Sequence, residues 1–109
     1  SAPSTKHGLV QSDSGLQLYW ETWGAGPAII CCNGVGVSTF FWKYVVEHFS
    51  PHCQVVLWDY RGHGKSEAPA SIADCDLSIE ASARDLGLVM EAAGLTEAVL
   101  LGHSMGCQV

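Results

Sequence analysis

The sequence predicts an α/β fold: a β-hairpin followed by a β-α-β-α-β succession, with a mostly parallel sheet. Three observations lead there. Residues 28–32, 54–58 and 98–101 are short, almost wholly apolar runs, the signature of strands buried on both faces. Between them lie two segments with apolar residues at helical spacing, 42–49 and 79–93. Glycine-bearing loops follow each apolar run, as strand-to-helix connections require.

The elements follow in order. Residues 7–11 and 16–23 are strand-like and are joined by Ser12, Asp13, Ser14 and Gly15, a turn whose glycine is free to take a positive φ. Leu16, Leu18 and Trp20 alternate with Gln17, Tyr19 and Glu21, the period-two pattern of a half-buried strand. Gly24-Ala25-Gly26-Pro27 stops it, and 28–32 forms the first buried strand. Trp42, Val45, Val46 and Phe49 make one helical stripe, which Ser50-Pro51 ends. The second buried strand, 54–58, stops at Asp59 and leads into a glycine-rich loop running to Pro69. Ser78 is placed to cap a second helix whose apolar face is Ile79, Ala83, Leu86, Met90 and Ala93. Gly94 stands where a left-handed C-terminal cap is expected, and Glu80 and Arg84 form an i,i+4 pair on the outer face. Residues 98–101 are the third buried strand.

Composition bounds the function. The 109 residues make one domain at most, and a 48% hydrophobic content excludes disorder. The charged fraction is 15%, against a usual value of about 25%, so much of the surface expects to be covered. A net charge of -6, with five scattered Lys and Arg, offers no basic patch for nucleic acid. No apolar run approaches the ~18 residues of a membrane helix, and the polar start has no signal-peptide core. Five cysteines include adjacent Cys31 and Cys32 but no Cys-x-x-Cys pair, which suits reduced, buried thiols in the cytoplasm. His48 and His52 are separated by Pro51, and neither a metal nor a cofactor is expected.

The chemistry concentrates in Gly102-His103-Ser104-Met105-Gly106, directly after the third buried strand. A nucleophile on a tight strand-to-helix turn has a strained backbone, and its neighbours two residues away must be small. Ser104 would present its hydroxyl above the sheet. The Met105 amide would lie at a helix N-terminus, where free donors and the dipole favour an oxyanion. The two earlier loops are Asn33-Gly34-Val35-Gly36-Val37-Ser38 and Asp59-Tyr60-Arg61-Gly62-His63-Gly64-Lys65-Ser66. In these three ordered motifs the chain, from about Gly8 onward, resembles the α/β-hydrolase superfamily. They match its His-Gly-x-Gly oxyanion loop, its Asp-x-Arg-Gly-x-Gly-x-Ser loop and its nucleophile elbow.

The resemblance implies a serine hydrolase of esterase or lipase type, with Ser104 as nucleophile and the Met105 and Val35 amides as oxyanion hole. Asn33, Gly34, Gly36, Gly102 and Gly106 would support that site. Arg61, Gly62, Gly64 and Ser66 would form a structural loop without a role in bond breaking. Asn33 departs from the family's usual His. Phe40 and Phe41 are candidates for an acyl pocket, whereas Trp42 on the buried stripe reads as core. The acid and histidine of the family's triad follow the nucleophile, and only five residues follow Ser104, so the expectation is an incomplete domain, 1–109, ending at the elbow. His103, Asp59 and His63 are not expected to replace them. Such a portion would leave an apolar strand edge and one sheet face open, to be covered by the remaining hydrolase or by self-association. Two other functions compete with a small-molecule acyl substrate. One is a non-catalytic module acting through its open edge. The other is a dinucleotide-binding unit built on Gly34-Val35-Gly36 and Asp59, which lacks the third glycine and leaves the Ser104 turn unexplained.

Overall fold

A computed structural model describes residues 5–34, 39–68, 76, 78–103, 106 and 108–109, with Thr5 and Phe40 described by their backbone alone. Strand β1 (Thr5–Gln11) turns at Ser12–Gly15 into β2 (Gln17–Trp23). The turn closes through Ser12 N–H donating to the Leu16 carbonyl and Gly15 N–H donating to the Ser12 carbonyl. Strand β3 (Ala28–Cys32) leads to a 3-10 turn (Thr39–Trp42) and helix α1 (Lys43–Phe49). Strand β4 (Gln54–Trp58), helix α2 (Ile79–Ala92) and strand β5 (Val99–Gly102) complete the order.

The strands form one sheet in the order β1-β2-β4-β3-β5. β1 and β2 are antiparallel, β2 runs antiparallel to β4, and β3 lies parallel to both β4 and β5. The hairpin followed by β-α-β-α-β is therefore observed, and the parallel part is its centre.

Period two explains why β3 and β4 are almost wholly apolar. Ile30, Cys32, Val56 and Trp58 join Leu86 and Val89 of α2 in a cluster on one face. Cys31, Val55 and Leu57 join Trp42, with Val45 and Val46 of α1 packed against them, on the other. Cys31 and Cys32 thus point to opposite cores. Cys31 and half-buried Cys53 are free thiols, and burial, with the neighbouring Cys32 adding to it, pushes the Cys31 thiol up to about 12.

Three details differ from the expectation. Phe49 is 38% exposed at the C-terminal end of the seven-residue α1. The inner face of α2 is Ala81, Ser82, Asp85, Leu86 and Val89, while Ala83 faces outward. The helix is rotated toward its polar side because Asp85 has a buried cationic partner. Arg84 reaches Asp13 at 2.9 Å and Asp76 at 4.0 Å, opposite charges that the chain fold brings closer than Glu80. Val99 and Leu100 of the third apolar run are 67% and 53% exposed, and β5 pairs only with β3 among the described residues, the open edge and face that the sequence reading expects of residues 1–109. The expected helix caps are present. Ser78 Oγ accepts from Ala81 N–H at 3.2 Å, and Gly94 takes φ +76 beyond the helix end. Among the described residues no helix is long and apolar enough to cross a membrane.

Candidate functional site

The carboxyl ends of β3, β4 and β5 meet on one side of the sheet, where open parallel sheets place their ligands. The loop after β3 starts at Asn33, which is fully buried. Asn33 Nδ2 donates to the Trp58 carbonyl at 2.9 Å, Trp42 Nε1 donates to Asn33 Oδ1, and Tyr60 Oη donates to the Asn33 carbonyl at 2.7 Å. The amide side chain thus ties β3 to the end of β4 and to the 3-10 turn. Trp42 is 4% exposed and serves this tie and the core, as expected from its place on the stripe.

The loop after β4 is built around Asp59, also fully buried. Asp59 Oδ1 accepts from Thr39 N–H at 3.1 Å and Oδ2 from Lys65 N–H at 2.9 Å. Ser66 Oγ donates to the Asp59 carbonyl at 2.6 Å while accepting from Tyr19 N–H at 2.8 Å. Gly64 passes so close that an added Cβ would lie 2.3 Å from Asp59 Oδ2, and its φ of +50 lies in the left-handed region. Burial pushes the Asp59 carboxyl above its ordinary range, Glu21 adds to this, and the Lys65 and Thr39 amides oppose it.

Arg61 points away from this site. Its guanidinium donates to Asp85 from Nε at 2.7 Å and from Nη2 at 3.1 Å, and to Asp13 at 2.8 Å. The Asp85 hydrogen bond raises the Arg61 pKa further, and the ion pair fixes the loop to α2 and to the hairpin turn. His63 Nδ1 lies 2.9 Å from the Arg61 carbonyl. His63 is engaged within its own loop and Asp59 by the Thr39 and Lys65 amides, and the described hydrogen bonds join no acid to His63.

After β5, His103 N–H donates to the Cys32 carbonyl at 3.1 Å. An added Cβ on Gly106 would lie 2.0 Å from that same carbonyl oxygen, so no side chain fits there. The exposed His103 ring packs at a 41° tilt against half-exposed Phe41 with centroids 4.5 Å apart. Of the expected site residues, the structure brings Asn33, Gly34, Gly102 and Gly106 to one edge of the sheet. Ser104, Met105, Val35 and Gly36 lie outside the described residues. The tie from Asp59 to Thr39 was missed, although an aspartate ending a buried strand was its signal. The Tyr60 bond to Asn33 had no sequence signal. An open cavity of about 480 Å³ lies on the α1 face, lined by Trp23, Val46 and Leu57 with Asp59 and Thr39 at its rim. Among the described residues no group of three or more His, Cys, Asp and Glu is arranged to hold a metal.

The sequence model of a family described as alpha/beta hydrolase fold matches residues 27–109. The chain belongs to that family. Among α/β hydrolases it is 33% identical over 101 residues to pig bifunctional epoxide hydrolase 2, covering 92% of this chain and 18% of that protein. It is 36% identical over 92 residues to a putative carbamate hydrolase of Azorhizobium caulinodans, covering 82% of this chain and 32% of the relative. Identity to N-formylmaleamate deformylase of Pseudomonas putida is 33% over 101 residues, covering 93% and 37%. The chain thus spans well under half of each relative. An epoxide hydrolase from an endophytic Streptomyces superposes with a TM-score of 0.80 at 25% identity, covering 94% of this chain and 30% of that one. An α/β hydrolase from Sphaerobacter thermophilus gives 0.78 at 27% identity, covering 91% and 36%.

Proposed function

We propose that this chain is the nucleophile-bearing portion of a serine hydrolase that attacks an acyl carbon and passes through an acyl-Ser104 intermediate. The observation that carries the reading is the contact of Gly106 with the Cys32 carbonyl, beside the His103 hydrogen bond to the same oxygen. That approach is what a Gly-x-Ser-x-Gly turn needs in order to lean on the neighbouring strand. The amides of Met105 and Val35 would hold the oxyanion, with Asn33, Gly34, Gly36, Gly102 and Gly106 shaping their support. The base and the acid that orients it would come from chain beyond this sequence, in keeping with relatives that are several times longer.

The similar proteins carry names for two kinds of bond, epoxide and acyl. Chemistry separates these for a serine. A hydroxyl that opens an epoxide leaves an alkyl ether, which water does not cleave, so the enzyme would stop after one turnover. Attack on an acyl carbon leaves an ester, which activated water hydrolyses. Ser104 therefore favours an ester, amide or carbamate substrate. The test is labelling by a fluorophosphonate probe, with the chain joined to or complemented by its C-terminal continuation. The adduct is expected on Ser104 and should vanish in Ser104→Ala. Labelling that persists in the alanine variant overturns the assignment.

A second reading, association through the β5 edge, draws on exposed Val99 and Leu100. Sedimentation of the isolated chain as a folded monomer, at concentrations where dimers would form, removes it.

A further inference from the structure

We infer that Asp59 is a positioning residue: its carboxylate fixes Thr39, the exit of the segment that begins at Asn33 and whose sequence carries the proposed oxyanion donor. The inference rests on the reading of Ser104 above and names one device that serves that site.

The geometry concerns two ends of one segment. The chain leaves β3 at Asn33 and is next described at Thr39. Its entrance is tied by Asn33 to the Trp58 carbonyl and by Tyr60 Oη to the Asn33 carbonyl. Its exit is tied by Thr39 N–H to Asp59 Oδ1. The three partners, Trp58, Asp59 and Tyr60, are consecutive at the end of β4, so one rigid strand terminus carries both ends. The entrance ties are neutral. The exit tie ends on an ionisable group, which also accepts from Lys65 N–H and has Gly64 pressed against it. The carboxylate thus has two donors to satisfy and no room to turn toward Gly64.

Protonation changes this arrangement. A carboxylic acid carries an O–H donor, which faces amide donors where an acceptor stood, so one of the two ties is lost. The groups around Asp59 are Glu21 and Tyr19 of β2, Lys65 of its own loop, and Lys43 and Glu47 of α1, which line the same cavity. Burial outweighs the opposing amides and Lys65, and the carboxyl lies above its ordinary range. A carboxyl raised in the folded state takes up its proton there before the unfolded chain does. Falling pH between the raised value and the ordinary one therefore relieves the burial penalty and does not reduce global stability through this group. In the same window the hold on Thr39 weakens. A purely structural aspartate would lose local order and global stability together; a positioning residue separates them.

The experiment follows the Thr39 and Lys65 amide signals and the Asp59 carboxyl carbon by NMR, from neutral pH to about 4. All three are expected to shift with one shared midpoint above about 3.9, while the urea midpoint holds or rises. Asp59→Asn should abolish that titration and speed amide exchange at Thr39 or Lys65 roughly tenfold or more. It should also remove the matching acid limb of Ser104 labelling. Thr39 and Lys65 amides that do not follow Asp59, or exchange unchanged in Asp59→Asn, overturn the inference. Should Asp59→Asn fail to fold, the wild-type titration decides alone. Absence of Ser104 labelling in every form, with the Asp59 titration intact, overturns the serine reading and upholds the tie.

Discussion

Asp85→Ala tests the packing of the molecule most severely. Asp85 is 1% exposed and Arg61 4%, and two hydrogen bonds at 2.7 and 3.1 Å join them. Removing the carboxylate leaves a buried guanidinium with one remaining anion, Asp13, which is itself 51% exposed. Breaking a buried pair costs about 3–5 kcal/mol, because the surviving charge stays desolvated. Asp13 continues to compensate Arg61 in part, so the lower end applies, about 3 kcal/mol. For a domain of this size that is a fall in Tm of roughly 10–20 °C. Urea titration followed by tryptophan fluorescence reads it directly, since fully buried Trp58 packs in the same cluster as Leu86 and Val89 of α2. Asp13→Ala removes only a half-exposed partner and should cost about 1 kcal/mol or less. The double variant Arg61→Met with Asp85→Ala removes both charges and should be more stable than Asp85→Ala alone. A loss below about 1 kcal/mol for Asp85→Ala refutes the reasoning, as does a double variant no better than the single one.

Three further outcomes are expected. Ser78→Ala removes the acceptor for Ala81 N–H and should lower unfolding free energy by about 1 kcal/mol, with exchange quickened only in the first turn of α2. Gly106→Ala forces a methyl onto the Cys32 carbonyl, two backbone atoms that cannot yield cheaply. It should cost about 1–3 kcal/mol by urea titration and reduce Ser104 labelling, whereas Gly87→Ala, with open space around it, should not destabilise. Cys31, whose thiol is pushed up to about 12, should resist alkylation at neutral pH for as long as the fold persists. Half-buried Cys53 should react first of the described cysteines, as peptide mapping after brief iodoacetamide treatment would show.

The parts of this fold that were legible in the sequence are those governed by short-range rules. β3 and β4 were readable to the residue because each is apolar but for Gln54 at the start of β4 and is followed by a polar residue, Asn33 or Asp59. Ser78 and Gly94 announced the ends of α2 for the same reason: caps are local chemistry. The face of α2 was not readable in this way. Its orientation is set by Asp85 meeting Arg61 from twenty-four residues away, and an aspartate on a helix normally reads as a solvent-facing residue. The exposure of β5 cannot be read from its four apolar residues, which look the same whether or not a further strand lies beside them; it is expected only through the hydrolase resemblance, which places further chain against that edge. At the site, glycine spacing indicated where close approaches occur, as Gly106 and Gly64 bear out. The residues that hold the loops in place act through single long-range hydrogen bonds, which leave no periodic trace.

That difference matters for how the site works. The loops after β3 and β4 are fixed by buried bonds to Asn33 and Asp59, and both sets converge on the end of β4, a strand paired on both sides. The turn after β5 is held among the described residues by less: one amide bond to Cys32, the Gly106 contact and the tilted Phe41–His103 ring contact. Its strand is paired on one side, with Val99 and Leu100 exposed. The two described ends of the β3 loop, Asn33 and Thr39, are therefore fixed by buried bonds, whereas Gly106 is held by its approach to β3. Electrostatic stabilisation of a transition state gains most from donors that need no rearrangement at the moment of reaction. Among the described residues the anchors of the β3 loop, Asn33 and Thr39, meet that condition more fully than those of the turn after β5, and a strand covering the β5 edge would bring the second set closer to the first.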